Sequence, residues 1–475
     1  MPMATSVQTP FTIVDPADPR PVHFIGIAGA GMSALAELLA RRGVHVTGTD
    51  ANASGAPDLA ALGIAVSPPS VLPVRAARAV VFSSAIAATH PEMEMARSLG
   101  LPLIRRAEAL AEAVRGGTLV GISGTHGKTT TTVMTTEALT SAGVNPTGVV
   151  GGRVGHWGGN LRLGGSVYVV EADEYDRSFL ALEPEVAVVL NVEEDHLDIY
   201  RDLADIQRAF EQFVSGARVL VRCADDVGAM ALQPCAGQDV INYSANPAHH
   251  APVDGAQPAR LVARSLLLDT AGARFDVEFD GAHLGHVSLG VPGVHNVRNA
   301  LAAIGAGLAV GCSLADMVAG LREFRGVERR FQRLGCVAGV DVVDDYAHHP
   351  TEVAATIAAA RHAFPSRRLI VVFQPHLYSR TRDLQEEFAV ALSAADQLLL
   401  CDIYGAREVA IPSVTSALIG DRVRRDVLRW TGPRAMVADV LRAKVRTGDV
   451  VIVMGAGDIT MTGPELLRAL EARAE

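Results

Sequence analysis

Three times in this chain a short apolar run ends in a glycine-rich or acidic turn, and the turn runs straight into a helical segment. The stretches are "VHFIGIAGAGMSALA" from Val22, "TLVGISGTHGKTTTT" from Thr118 and "VDVVDDYAHHPTEVAA" from Val340. A strand followed directly by a crossover helix is the unit of a parallel, doubly wound sheet. The chain is thereby restricted to α/β folds. Its 475 residues are too many for one domain and predict about three.

The pattern predicts strands at 22–27, 44–49 and 79–83 with helices at 33–42 and 91–99. After Arg115-Gly116-Gly117, a linker, come strands at 118–123, 167–170 and 186–190 and a helix at 129–142. A glycine-rich hairpin is expected within 149–165, and alternating residues over 256–291 predict antiparallel strands. Helices at 296–310 and 314–324 close this region. The last third predicts strands at 340–343, 369–373, 397–402 and 449–454, and helices at 351–363 and 383–393.

Composition excludes several classes. Hydrophobic content of 49% with 20% charged residues is that of a soluble globular protein. A net charge of −10 argues against a nucleic-acid partner, which a basic balance would mark. The 5 cysteines form no C-x-x-C pair, so a disulfide framework or zinc site is not expected. Residues 1–20 do not read as a signal peptide. No apolar run reaches the ~18 residues of a membrane span. A cytoplasmic protein, with no membrane insertion, is expected, as a monomer or weak homodimer.

The first turn, Gly29-x-Gly31-x-x-Ala34, matches the dinucleotide fingerprint with alanine in third place. Asp50 follows 21 residues after Gly29, where an acid would meet a ribose hydroxyl. Glycines there let a pyrophosphate approach the helix N-terminus. Gly29, Ala30, Gly31, Met32, Ser33 and Asp50, with Ser83, Ser84 and Ala85 after a later strand, are the candidates for a diphosphate-containing ligand. The motif does not choose between a nicotinamide and another nucleotide.

The second turn departs from the common phosphate loop, because its first glycine is Gly121 and Ile122 stands where that motif requires glycine. Glycines at 121, 124 and 127 are expected to keep the turn small, so that N–H groups converge on an anion. Only two of the chain's 42 basic residues are lysine, Lys128 and Lys444. A compact ammonium kept at the loop can reach phosphates where a guanidinium is too wide. Thr129 can coordinate Mg²⁺. Glu171, at a strand end, and His196, in "EEDHLD", are further candidate ligands.

Together these residues resemble the Mur ligase family of ATP-dependent peptide-bond ligases, over nearly the whole chain from about residue 21. The family spacing G-x-x-G-x-x-G-K-T is met by Gly121, Gly124, Gly127, Lys128 and Thr129. "EADE" from Glu171, "DHLD" from Asp195, "PGVHNVRNALAA" from Pro292 and "RRF" from Arg329 agree in order. The resemblance implies an N-terminal Rossmann-like parallel sheet (1–116) for a UDP-sugar, a central P-loop ATPase-like α/β domain (117–327) and a C-terminal Rossmann-like α/β domain (328–475). It implies ATP and Mg²⁺ as cofactors. Gly124, Thr125, His126, Gly127, Lys128, Thr129, Thr130, Asn296, Asn299, Arg330 and Asp345 would serve ATP. Thr129, Glu171 and His196 would hold the metal.

"DDYAHHPTE" and "FQPHLYSRTRDL" resemble the branch whose substrates are UDP-N-acetylmuramate and L-alanine. Tyr346, His348, His376 and Arg380 would meet the amino acid, with Arg380 on its carboxylate. His348 or His376 could assist the amine, although His348 and His349 could equally cap the following helix. Sister ligases are understood to carry a carboxylated lysine at the metal, and no lysine lies between Lys128 and Lys444 here. The implied chemistry is formation of an acyl phosphate, then attack by an amine, with Lys128, Glu171, His196, Arg330 and His348 as the catalytic set. A relative that joins a preformed peptide to the same sugar nucleotide shares the motifs. A nicotinamide oxidoreductase or a nucleotide sensor are further readings. Glycines near 116 and 326 could act as hinges.

Overall fold

The structure is a computed structural model describing residues 12–53, 57–249, 259–406 and 408–474. The N-terminal stretch through residue 11 and residues 256–258, the head of the expected antiparallel region, lie outside the described residues. The chain divides into two compact units. One is Met1–Tyr243 with Ala251–Ala259 and Ala302–Met317; the other is Ser244–His250 with Arg260–Leu301 and Val318–Glu475.

The first unit begins with β1 (Val22–Ile25), β2 (Val46–Thr49), β3 (Ala65–Ser67), β4 (Ala79–Phe82) and β5 (Leu103–Arg105). These strands are parallel and lie in the order β3-β2-β1-β4-β5. The order reverses between β1 and β4, which opens a crevice at their carboxyl ends. Next come β6 (Thr118–Ser123), β7 (Thr147–Val154), β8 (Gly159–Arg162), β9 (Val167–Glu171), β10 (Val186–Val189), β11 (Val219–Cys223) and β12 (Asp239–Ser244). They follow in the order β12-β11-β10-β6-β9-β7-β8. The expected hairpin is β7–β8, antiparallel. β6 lies between β9 and β10, with Ile122 beside Glu171 and Ser123 beside Val189. The two strands that run into acidic segments therefore flank the strand that runs into the glycine-rich loop.

In the second unit β13 (Leu261–Asp269), β14 (Gly272–Phe279) and β15 (Ala282–Leu289) form the expected antiparallel meander. β16 (Gln332–Val337), β17 (Val340–Asp345), β18 (Leu369–Phe373), β19 (Gln397–Cys401), β20 (Leu428–Gly432) and β21 (Val450–Met454) form a sheet in the order β16-β17-β21-β18-β19-β20. Only β16 is antiparallel to its neighbour. β17, β18 and β21 are buried along their whole length. β18 and β21 are apolar throughout, as strands covered on both faces by helices are, whereas β17 carries Asp341, Asp344 and Asp345 among its valines.

Two expectations change. The helix expected at 383–393 is two pieces, Tyr378–Asp383 and Gln385–Leu392, divided at Leu384 (φ −115°, ψ 25°). The break lets Arg380 be buried on the first piece while Phe388 and Leu392 enter the core from the second. Gly121 is not part of the turn but lies within β6. A Cβ there would come within 2.9 Å of the Phe213 ring and 3.2 Å of Pro184. The first glycine of the motif serves close packing, and only Gly124 and Gly127 shape the loop. Gly121→Val is therefore expected to lower unfolding free energy by roughly 1–3 kcal/mol, the usual cost of overpacking. The surviving folded fraction should keep nucleotide affinity. Urea melts and nucleotide titration check this; an affinity loss without a stability loss would return Gly121 to the loop.

Candidate active site

The central loop is built by backbone geometry. Gly124 (φ +144°) and Gly127 (φ +83°) adopt conformations that a side chain would strain. Gly127 is the N-cap of the helix Lys128–Ser141, so the free N–H groups of its first turn open at the carboxyl end of β6. Asn191, just after β10, clamps the loop. Its Oδ1 accepts from His126 N (2.7 Å), its Nδ2 donates to His126 O (3.2 Å), and its carbonyl accepts from Thr125 N (3.1 Å). Thr125 Oγ1 in turn accepts from Glu193 N at 2.9 Å. The side chain of Thr130 is buried.

Lys128 curls back over this loop. Its Nζ donates to Gly124 O (2.7 Å) and Thr125 O (3.2 Å), and contacts both oxygens of Glu174 at 3.0 and 2.7 Å. Burial opposes the lysine's charge, but Glu174, Asp173 and Glu171 outweigh it and raise its pKa. Burial likewise opposes the charge of Glu174, and Lys128 and His196 outweigh that, lowering its pKa. The pair is thus ionised. Tyr200 Oη anchors the same segment by donating to Glu174 O at 2.6 Å.

Thr129 and Glu171 are brought together as expected. Thr129 Oγ1 donates to Glu171 Oε1 at 2.9 Å, and Glu171 Oε2 accepts from Gly151 N at 2.6 Å. Burial dominates here and raises the pKa of Glu171. His196, held at φ +54°, pairs with Glu174 Oε1 (3.6 Å) and Asp195 Oδ1 (3.8 Å). Burial opposes its charge, but these carboxylates prevail and raise its pKa. Glu174 is therefore the carboxylate shared by Lys128 and His196. It is the fourth letter of "EADE", whereas strand spacing points to the first.

In the first sheet, the turn after β1 and the turn Ser83–Ile86 after β4, closed by Ile86 N donating to Ser83 O at 3.0 Å, share the crevice edge. Gly29 is the N-cap of the helix Ala30–Arg41. Ser33 Oγ donates to Ala30 O at 2.9 Å. Ser84 and Ala85 are exposed. The side chain of Met32 is buried in the core, so the turn presents its backbone. Asp50 braces the turn instead of standing free, because its Oδ2 accepts from Ala28 N at 2.9 Å and its Oδ1 from Asn52 N at 2.9 Å. Arg106, outside every sequence motif, joins this turn. Its guanidinium lies 3.0 Å from where a Cβ on Gly31 would be, so the missing side chain seats a cation at the turn.

In the second unit, the loops after β17 and β18 bring Tyr346, His348, His376 and Arg380 into one cluster. His348 meets Tyr346 and His376 edge-on at 5.2 and 5.7 Å, and His376 stacks on Tyr404 at 5.9 Å. Arg380 Nη1 lies 3.4 Å from His376 Nδ1. His349, and not His348, caps the helix Pro350–Ala363, together with Glu352. Arg330 lies over the Tyr346 ring at 5.1 Å and faces Glu352 Oε1 at 3.4 Å. Asn296 Nδ2 donates to Pro292 O (2.7 Å) and Asn299 Nδ2 to Asn296 Oδ1 (3.2 Å). His295, next to Asn296 in the chain, has its pKa pushed down to about 4 by burial and the cations Arg298 and Arg330. Asp345 accepts from Phe331 N and Ala347 N, both at 2.8 Å. Each of its oxygens is thus committed to bracing the backbone around Arg330 and Tyr346.

A phosphate loop with carboxylates at and just past the end of a neighbouring strand, Glu171 and Glu174, is the arrangement of a nucleotide-dependent phosphoryl-transfer site. The chain matches the Mur ligase family catalytic domain over residues 21–118, the Mur ligase middle domain over 122–307 and the Mur ligase glutamate ligase domain over 329–457. It belongs to the Mur ligase family. The UDP-N-acetylmuramate–L-alanine ligase of Salinibacter ruber is 42% identical to it over 95% of both chains. That of Kineococcus radiotolerans is 43% identical over 95% of this chain and 96% of its own. The crystal structure of the UDP-N-acetylmuramate-alanine ligase of Thermotoga maritima superposes with a TM-score of 0.80 at 26% identity, covering 95% of this chain and 99% of that one.

Burial raises the Asp345 pKa from 3.8 to about 6 against the pull of Arg330 and the two amides. A carboxyl group raised on folding stabilises most below its unfolded value, and that stability is lost as pH climbs through the folded one. Wild type is therefore expected to lose up to roughly 3 kcal/mol of unfolding free energy across that interval, and Asp345→Asn to lack this slope. Urea melts of both proteins across the interval measure it; parallel slopes would rule the assignment out.

Proposed function

We propose that this chain joins L-alanine to the lactyl carboxylate of UDP-N-acetylmuramate at the expense of ATP, releasing ADP and phosphate, in cytoplasmic synthesis of the peptidoglycan precursor. The observation that carries this reading is the meeting of Lys128 and Thr129, at a helix N-terminus, with the carboxylates of Glu171 and Glu174. It occurs in a chain related along almost its full length to ligases named for this reaction. Residues 1–116 are assigned to the sugar nucleotide, 117–327 to ATP and 328–475 to the amino acid and the nucleotide's remaining contacts.

Thr129, Glu171 and His196 are assigned to a magnesium ion. Two hard oxygens already meet there, and a cation would relieve the burial that drives Glu171 towards protonation. His196 fits less directly, since its ring pairs with Glu174. A bound magnesium ion supplies charge neutralisation on the phosphates. The chain's own part is to position and to offset charge. The carboxylate oxygen of the substrate attacks the γ-phosphorus, and the bond to the departing ADP oxygen breaks. Lys128, drawn from Glu174 to the phosphates, and Arg330 are assigned to the negative charge that builds up. The amine then attacks the acyl carbon, and phosphate leaves. Asn296 and Asn299 are assigned to seating the nucleotide, and Asp345 to its ribose through the lone pairs that its two backbone contacts leave over. The turns at Gly29 and Ser83 hold the UDP diphosphate, and Tyr346, His376 and Arg380 hold the amino acid.

ADP release is expected only with ATP, Mg²⁺, UDP-N-acetylmuramate and L-alanine all present, with a tripeptide acceptor giving far less. Lys128→Ala and Lys128→Arg should both cut turnover by at least about 10²-fold. Full activity of Lys128→Arg would mean that the compact ammonium is not required. A preference for the tripeptide would reassign the chain to peptide recycling.

A further inference from the structure

We infer that Glu352 is a positioning residue for amine activation. It holds the His348 imidazole with its proton on Nδ1 and its lone pair on Nε2, so that His348 can take a proton from the incoming amino acid. The inference rests on the acyl-phosphate ligase reading above.

His348 Nδ1 faces two oxygens, the Tyr346 carbonyl at 2.9 Å and Glu352 Oε2 at 3.2 Å. A carbonyl and a carboxylate only accept, so the neutral ring must carry its proton on Nδ1. Nε2 is then the basic nitrogen, and among the described residues no group hydrogen-bonds it. The carboxylate itself is fixed by the chain around it. Glu352 Oε2 also accepts from His348 N at 3.0 Å and His349 N at 3.3 Å, as the acid of the capping box that starts the helix Pro350–Ala363. A carboxylate that orients an imidazole and stabilises its charged form is the third member of a nucleophile–base–orienter set. Here the nucleophile would be the substrate's own amine. The rings of Tyr346 and His376 surround His348, and Arg380, the cation assigned to the substrate carboxylate, reaches His376.

The step balances. The amino acid arrives as an ammonium, which has no lone pair. One proton passes to His348 Nε2, and the resulting imidazolium lies against Glu352. The freed lone pair forms the C–N bond at the acyl carbon. As the tetrahedral intermediate collapses, the C–O bond to phosphate breaks, and the second nitrogen proton leaves with the phosphate. The imidazolium returns its proton to solvent.

Glu352→Gln separates this role from structure, because glutamine also serves as the capping-box acceptor. The assay compares ADP release with L-alanine and with hydroxylamine, an amine that is uncharged at neutral pH and needs no base. Alanine-dependent kcat is expected to fall about 10²-fold or more, with KM for alanine moving less, while hydroxylamine-dependent release stays within a few-fold of wild type. An unchanged thermal melt and ATP affinity would accompany this result. A parallel fall with both amines would overturn the inference, because Glu352 would then act through Arg330 or the fold. No fall with either would overturn it equally. Wild-type enzyme that releases no more ADP with alanine than without it would overturn the ligase reading, and this inference with it.

Discussion

The side chain of Lys128 is only 12% exposed, and much of the central site follows from that. A buried ammonium must have an anionic partner. Glu174 supplies it, with the carbonyls of Gly124 and Thr125 taking the remaining protons. Glu174 must in turn be held, and Tyr200 and His196 hold its backbone and its second oxygen. The loop that wraps the lysine needs left-handed backbone at Gly127, and Asn191 keeps the loop closed around it. An incoming polyphosphate would offer Lys128 a stronger anion than Glu174. The exchange would keep Lys128 paired with an anion, while His196 stays beside Glu174.

The same logic orders the second unit around Glu352. One carboxylate takes two backbone amides, an imidazole and a guanidinium, and so ties the start of a helix to two residues with assigned chemistry. Asp345 acts similarly one turn earlier, spending both oxygens on the backbone beside Arg330 and Tyr346. In each unit the parallel strands deliver these loops to their carboxyl edge, where crossover connections leave room for ligands.

Much of this was legible from spacing alone. β6 and β18 begin and end where the apolar runs do, and the β7–β8 hairpin and the meander β13–β15 follow from glycine content and alternation. Thr129 and Glu171 meet because each lies at the end of a motif placed by neighbouring parallel strands. The residues that were missed act through space. Glu174 lies three positions past Glu171, in a turn whose course back towards Lys128 no local pattern announces. Asn191 is an unremarked residue after β10, and Glu352 reads as an ordinary helix cap. A tighter signal existed only for Glu352: an acid three residues after His349 is a capping box, and a capping carboxylate next to His348 has a second use.

The amino-acid order by itself determined which segments become strands, where the chain must turn, and that a lysine in an arginine-rich chain stands at the head of a helix. These are decided by neighbours within a few residues, through backbone sterics and the alternation of apolar side chains. Only the tertiary structure decided which carboxylate neutralises Lys128, that Gly121 makes room for Phe213, and that Asp50 braces a turn. Those outcomes depend on desolvation and close packing. Both are set by segments tens of residues away, and a carboxylate's charge is settled by what surrounds it once water has been excluded.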